Sequence, residues 1–317
     1  MKFETFHKVN SFKPSHQDKG SIYFEMVGEN RKGSMYFIEV FEGISVTFND
    51  FEAETFDEKS FTHSPLLSLN YCHEGRIECD SKKGKRIFLN PNQILVTWLN
   101  ETFEDFHIPS LFFKGITVTV DVENLGESTL EDLSSHRIDW QKVMANIEKI
   151  KFCVMDCYST PVLSLFKDLM DSPLKYDIPY LKIKVLEALY IIASLPLEKY
   201  MISSDYIENR HCEMMKKVAH YIVNHHASPL TLKDLCEAFD FKESSLKKNF
   251  TLTYGMSITA YLQKCRVYQA SRLLATTNES ILEIAEKVGY KNPSKFSEIF
   301  KREKGMTPLG YRNHLKG

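Results

Sequence analysis

Two stretches of this chain share one layout: TLKDLCEAFDFKESSLKKNFTLTYG from Thr231 and SILEIAEKVGYKNPSKFSEIFKREKG from Ser280. Each has a short run of apolar residues at helical spacing, a turn, and a second such run. Helices this short are marginal alone, so each pair has to form as two helices bracing one another. Both stretches open on a capping box. Thr231 is followed three residues later by Asp234, and Ser280 by Glu283, so hydroxyl and carboxylate satisfy N–H groups that the helix leaves without partners. In the first unit Leu232, Leu235 and Phe239 are expected to pack on Leu246 and Phe250. In the second, Ile281, Ile284, Ala285 and Val288 are expected to pack on Phe296 and Phe300. Gly289 permits a sharp turn after Val288, and Asn292-Pro293 suits a helix N-cap followed by its first residue.

Charge is distributed unevenly around these units. The net charge is only −2, yet from His211 onward there are 17 Lys and Arg against 10 Asp and Glu, and the preceding 210 residues carry 23 against 32. A basic C-terminal block on an acidic body is the footprint of a nucleic-acid module beside a partner domain, although a solvated face would give the same sign. At 317 residues with 43% hydrophobic and 26% charged residues, the chain fits two globular domains. No apolar run approaches the ~18 to 20 residues of a membrane span, and no signal peptide opens the chain, so a cytoplasmic location is expected. Seven cysteines without regular spacing do not form a disulfide framework. Cys153 and Cys157 stand at helical i,i+4 spacing, which suits two small apolar residues on a buried face better than a redox or metal pair.

From Ser21 to about Val122 the chain reads as short strands: SIYFEMV, SMYFIEVFEGISVTF, LLSLNYC, RIECD, RIFL, QILVTW and FKGITVTVD. Ser81 to Lys85 suits a hairpin loop. Many short strands at close spacing predict a small β-barrel or jelly roll. After Asn124-Leu-Gly126 the period changes. Trp140, Val143, Ile147, Ile150 and Val154 predict one amphipathic helix, Leu163 to Met170 a second, and Tyr180 to Leu195 a third. The fold class expected is therefore α+β: a barrel with flanking helices, then an all-α region with two helix-turn-helix units joined by a linker helix. The boundaries expected are 1–125 for the barrel, 126–202 for the helices, 203–210 for a polar linker and 211–317 for the basic region. The intermediate helices can bury their stripes on the barrel or in a homodimer.

A helix-turn-helix presents its second helix to the major groove, where exposed side chains meet base edges and phosphates. The outward positions are Ser244, Ser245, Lys247, Lys248 and Thr251 in the first unit. In the second they are Ser294, Lys295, Ser297, Glu298 and Lys301.

The stretch from about Met215 to Arg312 resembles the DNA-binding domain of the AraC/XylS family of bacterial transcription regulators. The likeness is carried by Tyr261-Leu262, Arg266, Ala270-Ser-Arg-Leu-Leu274, Ser280-Ile-Leu-Glu-Ile-Ala285, Val288-Gly-Tyr290, Phe296-Ser297, Phe300-Lys301, Gly305-Met-Thr-Pro308 and Tyr311-Arg312. It implies two recognition helices in successive major-groove segments on one side of the DNA, held apart by the linker helix. It also implies base reading by Ser244, Lys247 and Lys248, and by Ser294, Ser297 and Glu298. We assign Lys247 to base contact and Lys295 and Lys301 to the backbone. The chain departs from the family pattern at Lys242, where a serine cap is usual, at Thr251, where a lysine often stands, and at Glu298, which replaces a basic residue. Glu298 either accepts from cytosine N4 or is a solvated charge.

In this family the N-terminal domain commonly binds an effector. Asn70 to Glu78 and Phe113 to Asp121 are similar to the pyochelin-type siderophore-responsive branch, which makes an aromatic iron chelate one candidate effector, with sugars and other metabolites open. Tyr71, His73, Arg76, Trp98 and Phe113 are the candidate ligand residues, offering aromatic walls and a cationic handle. The alternative is a filled core in which Arg76 pairs with Glu78 or another carboxylate. His73 and His107 have no metal-ligand spacing, so no metal, cofactor or catalytic residue is expected. The resemblance implies a regulator, more an activator than a repressor, that binds promoter DNA and works with RNA polymerase. The competing expectations are a constitutive DNA binder with an inert barrel, or a DNA-modifying enzyme using the same DNA-binding module.

Overall fold

A computed structural model describes residues 12–316 except 19, 28–31, 54, 57–65, 82–85, 99–102, 151, 157–160, 197 and 199–209. The chain divides into two units, one of Met1–Ile108 with Phe112–Glu208 and one of Pro109–Leu111 with Asn209–Gly317. The polar stretch 203–210 lies outside the described residues except Arg210, where a helix begins.

The first unit contains twelve described strands. They are β1 (Phe12–Asp18), β2 (Ser21–Met26), β3 (Lys32–Phe41), β4 (Ile44–Glu52), β5 (Thr55–Phe56), β6 (Leu66–Gly75), β7 (Ile77–Ser81), β8 (Arg86–Leu89), β9 (Gln93–Trp98), β10 (Phe103–His107), β11 (Phe113–Asp121) and β12 (Phe152–Asp156). Eight form an antiparallel sheet in the order β1-β2-β3-β4-β11-β6-β9-β12, and four form a second in the order β5-β10-β7-β8. The mixture of sheet and helix matches the expected class. The barrel expectation needs correction, because the described strands make two separate hydrogen-bonded sheets and not one closed ring.

The middle of the larger sheet, β3, β4, β6 and β11, is buried on both faces, which explains its near-continuous apolar strands. Neighbours on β3 show this directly: Phe37 joins a core with Phe24, Phe51 and Phe113, and Ile38 joins one with Val46, Leu69 and Val118. The second of these cores is closed by helices. α1 (Glu127–Ser135), α2 (Trp140–Ile150), α3 (Pro161–Asp171) and α4 (Ile178–Ser194) contribute Leu133, Val143, Phe166, Leu181 and Leu189 to it.

Three segments escaped the sequence reading. β1, β5 and β10 lie in FKPSHQD, TF and FEDFH, which are too polar or too short to stand out. A fourth segment is a reassignment: the helix expected to run through Val154 stops at Ile150, and Phe152–Asp156 is a strand antiparallel to β9, with Cys153 opposite Val96. Cys153 therefore does not sit on a helix, and Cys157 lies outside the described residues. Val154 fits the helical period by chance, while pairing with a partner nearly sixty residues away decides the conformation.

The second unit is helical: α5 (Arg210–Asn224), α6 (Leu232–Phe239), α7 (Glu243–Tyr254), α8 (Ile258–Thr276), α9 (Ile281–Lys287), α10 (Pro293–Lys304) and α11 (Pro308–Lys316). α6 with α7 and α9 with α10 are the two helix-turn-helix pairs, and α8 is the helix that joins them. Among the described residues no helix is long and apolar enough to cross a membrane.

Candidate nucleic-acid interface

Both helix pairs are built from local signals. Thr231 and Ser280 accept from the amides of Asp234 and Glu283, whose carboxylates accept from the Thr231 and Ser280 amides in return. These bonds hold both carboxyls below their ordinary range. For Asp234 the Thr231 hydroxyl is the larger cause, and for Glu283 it is the Ser280 amide. Asn292 accepts from the amides of Ser294 and Lys295, with Pro293 as the first helical residue of α10. Lys242 precedes α7 without any side-chain cap. The two turns use different residues. Gly289 adopts φ +91°, and Asp240 takes the corresponding role in the first unit at φ +53°, a position that short polar side chains tolerate.

Each recognition helix is pinned by aromatic and aliphatic side chains on its inner face. In the first unit Leu235, Leu246 and Phe250 are fully buried, and Phe250 lies 4.7 Å from Tyr254 and 5.3 Å from Tyr261 between ring centroids. In the second, Phe296 and Phe300 are buried, 5.6 Å apart, with Ile284, Ala285 and Val288 around them. α8 contributes Arg266, whose Nε donates to the His226 carbonyl at 2.8 Å and whose Nη2 donates to the Ser228 carbonyl at 3.0 Å. The guanidinium also lies 5.2 Å from the centre of the Tyr290 ring. One side chain thus ties the linker helix to the segment before the first helix pair and to the turn of the second. Cys265, next to it, is buried, and burial pushes its thiol up to about 12, which makes it an unreactive packing residue.

The outer faces carry the candidate contacts. Ser244, Lys247, Lys248 and Thr251 are exposed on α7, as are Ser294, Lys295, Glu298 and Lys301 on α10, with Ser297 half-buried beside them. Four polar residues per helix, spaced over about two turns, give each surface the length and chemistry of a groove-entering face. Ion pairing separates the lysines. Lys247 donates to Glu243 one turn earlier, and Lys295 donates to both oxygens of Glu298, at 2.9 and 3.0 Å. Lys248 and Lys301 make no ion pair among the described residues. Sequence reasoning treated Lys295 and Glu298 as independent; their i,i+3 spacing was the available signal. It also passed over Lys291, exposed just before α10.

In the second unit, residues 235–314 match the family model described as a helix-turn-helix domain. An uncharacterized HTH-type transcriptional regulator, YisR of Bacillus subtilis, is 32% identical over 96 residues, covering 30% of this chain and 33% of YisR. The HTH-type transcriptional activator RhaR of Yersinia pseudotuberculosis is 40% identical over 84 residues, covering 26% and 29%. The matched segment is thus similar to the DNA-binding domain of AraC/XylS-type regulators. Among solved structures, the C-terminal domain of AraT, a response regulator from Geobacillus stearothermophilus, is 33% identical, covers 33% of this chain and 88% of that one, and has a TM-score of 0.32. The chain spans about a third of the length of the curated relatives it matches.

Of the candidate ligand residues of the first unit, Tyr71 and Phe113 lie in different cores. Tyr71 is buried in the helix-facing core, stacked on Phe166 at 5.8 Å, and Phe113 is buried in the other core against Phe51. Arg76 is fully buried, with its Nε donating to Glu78 and its Nη1 to Asn90, each at 3.0 Å, and its guanidinium 4.3 Å from the Phe88 ring. These contacts are the filled-core alternative. His73 is half-buried near Asp171, and burial holds its imidazole below the ordinary value. Trp98 ends β9, opposite Leu67. A cavity of about 320 Å³ lies elsewhere in this unit, and Tyr71, His73, Arg76 and Phe113 are not among its described lining residues.

Proposed function

We propose that this chain is a one-component transcription regulator that binds double-stranded promoter DNA through α7 and α10, under the control of a small molecule bound by the first unit. The observation that carries the DNA-binding part is the pair of aromatic-pinned helices, α7 and α10, that each keep an outer face with serine and lysine exposed. Phosphate contacts are assigned to Lys301 and Lys295, and base contacts to Ser244, Lys247, Lys248, Ser294 and Ser297, with Thr251 at the edge of the first face. Glu298 tethers Lys295 and tempers the positive field of α10. The names of the relatives support activation, which brings RNA polymerase in as a partner. The protein acts by binding and not by catalysis, in the cytoplasm where its DNA target resides. Self-association is assigned to α4, whose outward face leaves Ile183 and Tyr190 exposed at 61% and 52%.

Selection from a pool of random double-stranded oligonucleotides tests this reading. Full-length protein is expected to enrich a sequence with two conserved blocks. A pool that stays random after repeated rounds contradicts it.

A further inference from the structure

The cavity of the first unit lies between the larger sheet and the connection from α3 to α4. Its floor is aromatic. Tyr23, Tyr36 and Phe48 stand side by side on β2, β3 and β4, since Tyr23 pairs with Tyr36 and Tyr36 with Phe48. Tyr176, from the connection, crosses above them edge-on, 5.2 Å from the Tyr36 ring and 4.9 Å from that of Phe48. The connection is held in place by its own hydrogen bonds, with the Lys175 amide donating to Ser172 and the Asp177 amide to Leu174, while the Asp177 carboxylate caps α4. The aromatic walls are therefore set before any ligand arrives.

The rim is cationic. Lys114 and Lys175 border the cavity with Asp50, the one carboxylate among its described lining residues. Lys114 meets Asp50 only at 3.9 Å, on a carboxylate that is 62% exposed, so the pairing is weak. Burial, then the neighbouring Asp50, push the Tyr176 phenol up, which keeps it a neutral hydroxyl donor. A volume of about 320 Å³ sits at the small end of ligand sites, roughly 300 to 1,000 Å³, and suits one or two rings.

We infer that this cavity binds a small aromatic carboxylate, its ring against Tyr36, Phe48 and Tyr176 and its carboxylate between Lys114 and Lys175. Any effect of that ligand on DNA rests on the regulator reading above; the binding itself does not.

Calorimetry on the full chain tests it, with 4-hydroxyphenylacetate, 3-phenylpropanoate and indole-3-acetate as probes and the matching amides as neutral controls. At least one acid is expected to saturate at one per chain, and its amide to bind about tenfold more weakly, the loss of one charge-assisted contact. Lys175→Ala and Tyr176→Ser should each weaken the acid by a similar factor, and Lys175→Arg should restore most of the affinity. Both residues are at least partly exposed, so unchanged circular dichroism will show that the fold is kept. The site is overturned if no acid saturates below about 10 mM, a concentration that corresponds to negligible affinity. It is also overturned if amides bind as well as acids, or if the substitutions change nothing. Affinity for the selected DNA is measured first without a probe. Lost DNA binding with intact probe binding removes the regulator reading alone, and the reverse removes the site alone.

Discussion

Single residues at the helix ends decide whether the two helix pairs form. Ser280→Ala removes one half of a capping box and should cost about 1 kcal/mol, read as roughly fivefold faster amide exchange across α9. Glu283 works through the same box, and its sign with pH is fixed by its lowered carboxyl. Its contribution is complete above the ordinary value of 4.5 and is lost as pH falls through the lower folded value. Glu283→Gln should therefore speed exchange in α9 at pH 7, and the difference from the parent should close below about pH 4.5. Gly289 is constrained more tightly. A Cβ there would lie 2.8 Å from the Ala227 carbonyl and 2.9 Å from that of His226, at a φ where an L side chain itself costs roughly 1–2 kcal/mol. Gly289→Ala should lower the melting temperature of the helical signal by more than Ser280→Ala does. The caps and the Gly289 turn were readable in the sequence, since they are fixed by residues within a few positions of one another, whereas the approach of Ala227 and His226 to Gly289 was not, because it comes from a segment about sixty residues away.

At the scale of elements, α10 offers a test that separates attraction from tethering. Lys301 has no ion-pair partner among the described residues, so Lys301→Ala should weaken binding to all DNA sequences alike and make the salt slope shallower by roughly one unit. Glu298 ties up Lys295, and Glu298→Gln should tighten binding to non-specific DNA and steepen that slope; an unchanged slope would show that the Lys295–Glu298 pair does not restrain the lysine. The strands show what local pattern cannot reach. Apolar alternation located β2, β3, β4, β6, β9 and β11, but β12 depends on pairing with β9, and Val154 carried a helical period into a strand. The placement of the candidate ligand residues was beyond local pattern for a related reason. Pairing across the sheet buries Tyr71 and Phe113 in two different cores and Arg76 against Glu78 and Asn90, while Tyr36, Phe48 and Tyr176 come together around a cavity only through the fold.

In the proposed function of the whole molecule, one unit contacts DNA and the other the ligand. If α4 mediates self-association, Ile183→Lys should shift full-length protein toward the monomer in sedimentation velocity, and DNA-free protein that remains monomeric at every concentration would exclude that role. The central claim is that α7 and α10 both enter the groove from one rigid frame. Hydroxyl-radical footprinting of the full chain on its selected sequence tests this most directly. Two protected patches are predicted on one side of the duplex, about 10 base pairs apart. Lys247→Ala together with Ser244→Ala should erase one patch, and Lys301→Ala together with Ser294→Ala the other. A single patch, or two patches that survive both pairs of substitutions, would contradict the account.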